Sequence, residues 1–81
     1  MEKKIGTITI LIRDREVSPS VNKLLSGYAD IILCRQGLPF RDREVAVISL
    51  IVEGTVDQIN ALTGLLGRLP EVTCKAVVTK S

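Results

Sequence analysis

The feature that most narrows the fold of this chain is an internal repeat. Shifting the sequence by 38 residues lays Ile10 on Ile48, Ile12 on Leu50, and Val21-Asn22 and Leu24 on Ile59-Asn60 and Leu62. Each copy runs from a strand-type segment through a helix-type stripe to a second strand-type segment. In the first copy, Ile8, Ile10 and Ile12 alternate with Thr7, Thr9 and Leu11, the period of a strand with one strongly apolar face. Arg13-Asp14-Arg15-Glu16 interrupts the alternation with four charges. Ser18-Pro19 then predicts an N-cap followed by a first-turn proline, whose missing N–H is harmless there. Val17, Val21, Leu24, Leu25 and Tyr28 form one helical stripe, and Gly27 is expected to help end it. Asp30 is expected to open a strand through Ile31 to Gln36. Gly37, Pro39 and Arg41-Asp42-Arg43-Glu44 read as a hairpin-type loop.

The second copy begins with Val45 to Val52, an apolar run interrupted only by Ser49. Such a strand is expected in the middle of a sheet with both faces covered. Thr55 and Gln58 form a T-x-x-Q capping box, in which side chain and backbone satisfy each other's free groups at a helix start. Ile59, Leu62, Leu66 and Leu69 give the second helical stripe, Gly67 and Pro70 close it, and Val72 to Thr79 alternates as a last strand. The order β-α-β-β-α-β, with right-handed crossovers, predicts an α+β protein with a ferredoxin-like βαββαβ sandwich. Its four-stranded antiparallel sheet would have the first and third strands central and two helices on one face.

At 81 residues, the chain reads as one domain spanning residues 1–81. A chain this short buries only about 60–65% of its unfolded surface, so its core is thin. If Ile8, Ile10, Ile12, Ile48 and Leu50 face the helices, the opposite sheet face presents Leu11, Val47, Ile51 and Val77, with Thr7, Thr9, Ser49 and Thr73 between them. A contiguous apolar face is rarely left in water. A homo-oligomer, dimer or tetramer, is therefore expected, with Leu11, Val47, Ser49, Ile51 and Val77 at its interface.

Composition excludes several functions. Eleven basic and nine acidic residues give a net charge of +2, too balanced for direct nucleic-acid or membrane binding by bulk charge. The only aromatics, Tyr28 and Phe40, fall outside the central strands, so base stacking on the sheet is not expected. Ile5 to Ile12 is too short to cross a bilayer, and with two cysteines forty residues apart and no CxxC pair, a cytoplasmic protein with two reduced thiols is the plain reading. The chain has no histidine, which removes the commonest general base and metal ligand. No serine therefore has an activating base, and an enzyme is not expected. An acylphosphatase-type reaction would also need an asparagine to orient water, and Asn22 and Asn60 lie within helices. Cys34 and Cys74 belong to opposite edge strands, about 14 Å apart at three strand spacings. That exceeds disulfide reach. They read as buried structural thiols, with no metal and no cofactor.

Two charged clusters remain. Arg13, Asp14 and Arg15 precede Ser18, and Arg41 and Arg43 follow Arg35. Arginine forks bind carboxylate or phosphate in bidentate fashion, and the first cluster leads into a helix start. These seven residues are the candidate site for a small anionic effector. The alternative is a pair of solvated, self-neutralising loops.

Arg35-Gln36-Gly37-Leu38-Pro39-Phe40-Arg41, Val47-Ile48-Ser49-Leu50-Ile51-Val52-Glu53-Gly54-Thr55 and the stretch from Ala61 to Pro70 together resemble one small family. It comprises short ACT-like proteins described as iron-only hydrogenase system regulators, related to the C-terminal effector domain of the nickel-responsive regulator. The resemblance implies a non-enzymatic, oligomeric ACT-like module that senses a small molecule. Nickel binding does not carry over, because the metal-ligating histidines are missing. The first strand–helix loop keeps an Asp and a Pro but lacks the glycine typical of amino-acid-binding ACT domains. An alternative function is a protein-interaction module that binds a maturation partner and takes no small ligand.

Overall fold

The computed structural model describes residues 2–79. Six regular elements follow the expected order: β1 (Lys4–Ile12), α1 (Ser18–Gly27), β2 (Ile32–Phe40), β3 (Val45–Gly54), α2 (Val56–Gly67) and β4 (Val72–Val78). All strand pairings are antiparallel and the sheet order is β2-β3-β1-β4, which puts β1 and β3 in the middle. Cross-strand partners share a face. Ile8, Ile10 and Ile12 on β1 pair with Leu50, Ile48 and Ala46 on β3. Their apolar side chains meet Val21 and Leu25 of α1 and Ile59, Leu62 and Leu66 of α2 in one buried cluster. No polar side chain is buried among the described residues.

The second half closes as its sequence dictates. Thr55 Oγ1 accepts the Gln58 amide at 3.1 Å, and Gln58 Oε1 accepts the Thr55 amide at 2.9 Å. The first half differs from expectation. Asp14, not Ser18, is the capping residue: its Oδ1 accepts the Glu16 amide at 3.0 Å and starts a 3₁₀ turn, Arg15–Val17. Ser18 is consequently the first residue of α1, and Val17 belongs to the preceding turn.

The second strand begins at Ile32, because Ala29–Ile31 form a 3₁₀ turn that buries Ile31. It then runs through Gly37 and Pro39 to Phe40. β2 has a neighbour on one side only, and an edge strand tolerates a proline that cannot donate to a ladder. The hairpin turn shrinks to residues 41–44, closed by Glu44 in a left-handed conformation at φ 55°. Glu71 adopts a similar conformation before β4, whereas Gly27 and Gly67 end their helices with ordinary helical geometry.

The helix-free sheet face is open in the chain. Three cross-strand rows lie on it: Cys34–Ile51–Thr7–Val77, Gln36–Ser49–Thr9–Lys75 and Leu38–Val47–Leu11–Thr73. A polar row thus separates two more apolar ones. Val77 is 72% exposed and Ile51 43%, so β3 is central but covered on one face only. Cys34 is exposed on this face and is not a core thiol. Its strand is the sheet edge and bulges between Ile32 and Cys34. Cys74, on the helix side, is half-buried and its Sγ donates to the Thr63 carbonyl at 3.3 Å. Burial pushes its thiol pKa up.

Candidate functional site

The loop between β1 and α1 and the hairpin between β2 and β3 lie at the same end of the sheet. Antiparallel pairing sets this: Ile12, at the end of β1, is opposite Ala46, which in turn is opposite Pro39. A concavity of about 140 Å³ opens between the two loops. Ile12, Pro39, Phe40, Val45 and Ala46 give it apolar walls, and Arg15, Ser18, Arg41 and Glu44 give it polar ones. Such a volume holds several waters or one small anion. An adjoining recess of about 170 Å³ shares Ile12, Ser18, Pro39 and Ala46 with it and reaches Asn22, Arg35 and Gly37. Gly37 leaves this recess open because its missing side chain would otherwise point towards Ile48.

The seven candidate ligand residues divide. Arg15, Ser18 and Arg41 meet in the first concavity, and Arg35 borders the second. Arg35 is held by its Nη2 donating to Asn22 Oδ1, which fixes one guanidinium edge against α1. That bond also occupies the Asn22 carbonyl oxygen. Arg13 points the other way: its Nη1 donates to Thr73 Oγ1 at 2.9 Å and its Nε lies 3.5 Å from Glu71 Oε2. It clips β1 to the turn before β4. Asp14 is engaged in its cap, and Arg43 lines neither recess. Asp14 and Arg13 therefore shape the loop from behind.

Two consequences follow for the electrostatics. In the turn that leads into α1, Val17 N–H donates to the Asp14 carbonyl at 3.1 Å and Ser18 N–H to the Arg15 carbonyl. The guanidinium groups of Arg15 and Arg41 bring positive charge to the concavity. Among the described residues, neither Arg15 nor Arg41 has an ion-pair partner. Sequence reasoning missed Phe40 and Glu44, which form the far wall. Placing Pro39 in a loop hid the fact that the strand carries Phe40 up to the arginine. No group of three or more potential metal ligands occurs among the described residues. No helix of the described chain is long and apolar enough to cross a membrane.

Comparison with known proteins adds an independent line. The model of the TM1266-like family, described as "Iron-only hydrogenase system regulator, putative", matches residues 4–76. The solved structure of the uncharacterized protein TM1266 from Thermotoga maritima is similar along its whole length. It is 39% identical, covers 98% of this chain and 100% of that one, and superposes with a TM-score of 0.94. No curated protein matches the chain.

Proposed function

The chain belongs to the TM1266-like family, and we propose that it acts as a small non-enzymatic regulator of an iron-only hydrogenase system, and that its arginine-lined cleft takes a small anionic effector. The observation that carries this reading is the meeting of Arg15 and Arg41. They come from separate loops, lack ion-pair partners among the described residues and border one apolar-walled concavity. A carboxylate or phosphate would be held by the guanidinium forks, with Arg35 on its Asn22 brace at the back of the cleft. The strand order β2-β3-β1-β4 and the helices sharing one face support a ferredoxin-like fold of ACT type. The two free thiols suit a reducing, cytoplasmic setting.

The same reading includes self-assembly through the open sheet face, carried by Leu11, Val47, Ser49, Ile51 and Val77. The exposure of apolar side chains on that face supports it. Phe40 links the two features, because it walls the cleft and also borders a shallow depression over Leu38, Val47 and Ser49. An effector that fixes Phe40 would change the shape of the assembly surface, which is a direct route from binding to regulation.

An amide-resolved NMR titration of the full chain with inorganic phosphate, then with succinate, tests the cleft. Saturable shifts at Arg15, Ser18, Phe40 and Arg41 are expected with at least one anion, and their loss in the Arg15→Ala/Arg41→Ala variant. Absence of shifts with both, or shifts only elsewhere, would overturn the assignment. Val47→Asp tests the face: a charge buried between subunits should drive dissociation, whereas unchanged assembly places the interface elsewhere.

A further inference from the structure

We infer that the effector is a linear dicarboxylate that lies along β2 with an acid group at each end; the inference rests on the effector role proposed for the cleft. Arg35, Gly37 and Pro39 alternate on β2 and pair with Leu50, Ile48 and Ala46, so they share the helix side of the sheet. All three are nevertheless exposed, at the sheet edge. The two recesses of the cleft meet over them, with Ile12, Ser18, Pro39 and Ala46 common to both. Arg15 and Arg41 line one recess and Arg35 the other, and the residues common to both are mostly apolar. Charge thus lies at the two ends and an apolar floor between them. Among the described residues, Glu44 is the only acidic one that lines either recess, and none of the three arginines has an ion-pair partner. Three guanidinium groups against one carboxylate leave an excess of two positive charges, which a dicarboxylate matches. A lone phosphate or monocarboxylate would occupy one end only. Arg35 retains the capacity for its part, because a guanidinium has five N–H donors and the bond to Asn22 uses one.

Gly37 adds an independent observation. It lines the recess between Arg35 and Pro39, and its φ is not positive. A Cβ there would meet Ile48 Cγ1 at 3.9 Å and the Val47 carbonyl oxygen at 4.0 Å, both ordinary contacts. Neither backbone conformation nor packing calls for glycine, and glycine weakens a strand interior. A ligand chain passing close over the strand accounts for it. From Gly37 to Pro39 the strand advances about 7 Å at ~3.3 Å per residue, the reach of an extended chain of about five or six carbons.

Amide-resolved NMR titrations of the full chain at fixed ionic strength compare glutarate, ethylmalonate and butyrate. Glutarate carries an acid group at each end of its chain. Ethylmalonate has the same formula and charge with both groups on one carbon, and butyrate has a single group. Glutarate is expected to bind about tenfold tighter than either, the effect of one further charge-assisted hydrogen bond, and to shift the amides of both Arg35 and Arg41. Arg35→Ala and Gly37→Val should each cut that preference to less than about twofold. The Gly37→Val chain should melt no lower than the wild type, since valine suits a strand better than glycine does. Glutarate binding no tighter than ethylmalonate or butyrate, or a preference that survives both substitutions, would overturn the inference and leave anion binding at the cleft in place. No saturable shift with any of these acids or with phosphate would remove the cleft assignment itself, and the inference with it.

Discussion

The two β-α-β halves superpose in sequence pattern but differ at one joint. Between β3 and α2 stands a single residue, Thr55, whose side chain and backbone are both engaged with Gln58. Between β1 and α1 stand residues 13–17, which turn through a 3₁₀ segment capped by Asp14. The short joint is rigid and closed: a Cβ on Gly54 would lie 2.9 Å from Gln58 Oε1 and 3.1 Å from Ile31 Cγ2. The long joint leaves room, and Arg15 fills part of it beside Arg41. One half therefore provides stability at its helix start, and the other exchanges that compactness for a cleft.

Changes at the two joints should separate stability from binding. The largest effect is expected for Gly54→Val, which forces a side chain into Gln58 and Ile31 and should lower unfolding free energy by about 2–3 kcal/mol in a denaturant titration. Thr55→Ala comes next, at about 1 kcal/mol for the lost cap. Asp14→Ala should lose about 0.5 kcal/mol, since its single cap bond serves one short 3₁₀ turn, but it should also weaken anion binding by releasing the loop. If Asp14→Ala were as damaging as Thr55→Ala while leaving binding intact, the division between the halves would fail. Arg15→Ala/Arg41→Ala should move stability by less than about 0.5 kcal/mol, because both side chains are exposed, yet abolish the anion response.

The smallest effect concerns the two thiols. In the dissociated Val47→Asp variant, Cys34, exposed on the open face, should react with iodoacetamide well before Cys74. The raised pKa of Cys74 means that the fold favours the neutral thiol. Its contribution to stability is present below the ordinary thiol value of 9.0 and is lost as pH rises through the higher folded-state value. Cys74→Ser should flatten that alkaline decline; equal reaction rates for the two thiols would contradict the burial difference.

The halves also differ in how far they could be read from sequence. The alternation of Ile8, Ile10 and Ile12, the central place of β3 and the Thr55–Gln58 box each express a local rule, and the structure repeats them, although β3 is covered on one face and not on both. Leu11, Val47, Ile51 and Val77 share the face opposite the helices as their alternation requires. The segments quoted for the family resemblance all lie within the span that the family model matches. The first helix start was not legible, because Asp14 and Ser18 are both good caps and only the turn geometry chooses between them. Pro39 is equally ambiguous: proline breaks a central strand but sits freely on an edge. The meeting of Arg15 with Arg41 depends on where the hairpin ends, so it inherits that ambiguity. Arg13 belonged to the same cluster by sequence, but Glu71 and Thr73 draw it to the far side of β1.

Native mass spectrometry of the full chain as purified, beside its Arg15→Ala/Arg41→Ala variant, tests the central claim most directly, since it reads subunit count and retained mass together. The account predicts an oligomer carrying a small anionic mass for the wild type and the same oligomer without that mass for the variant. A wild-type chain that retains nothing, or a mass kept equally by both proteins, would contradict the assignment of the cleft.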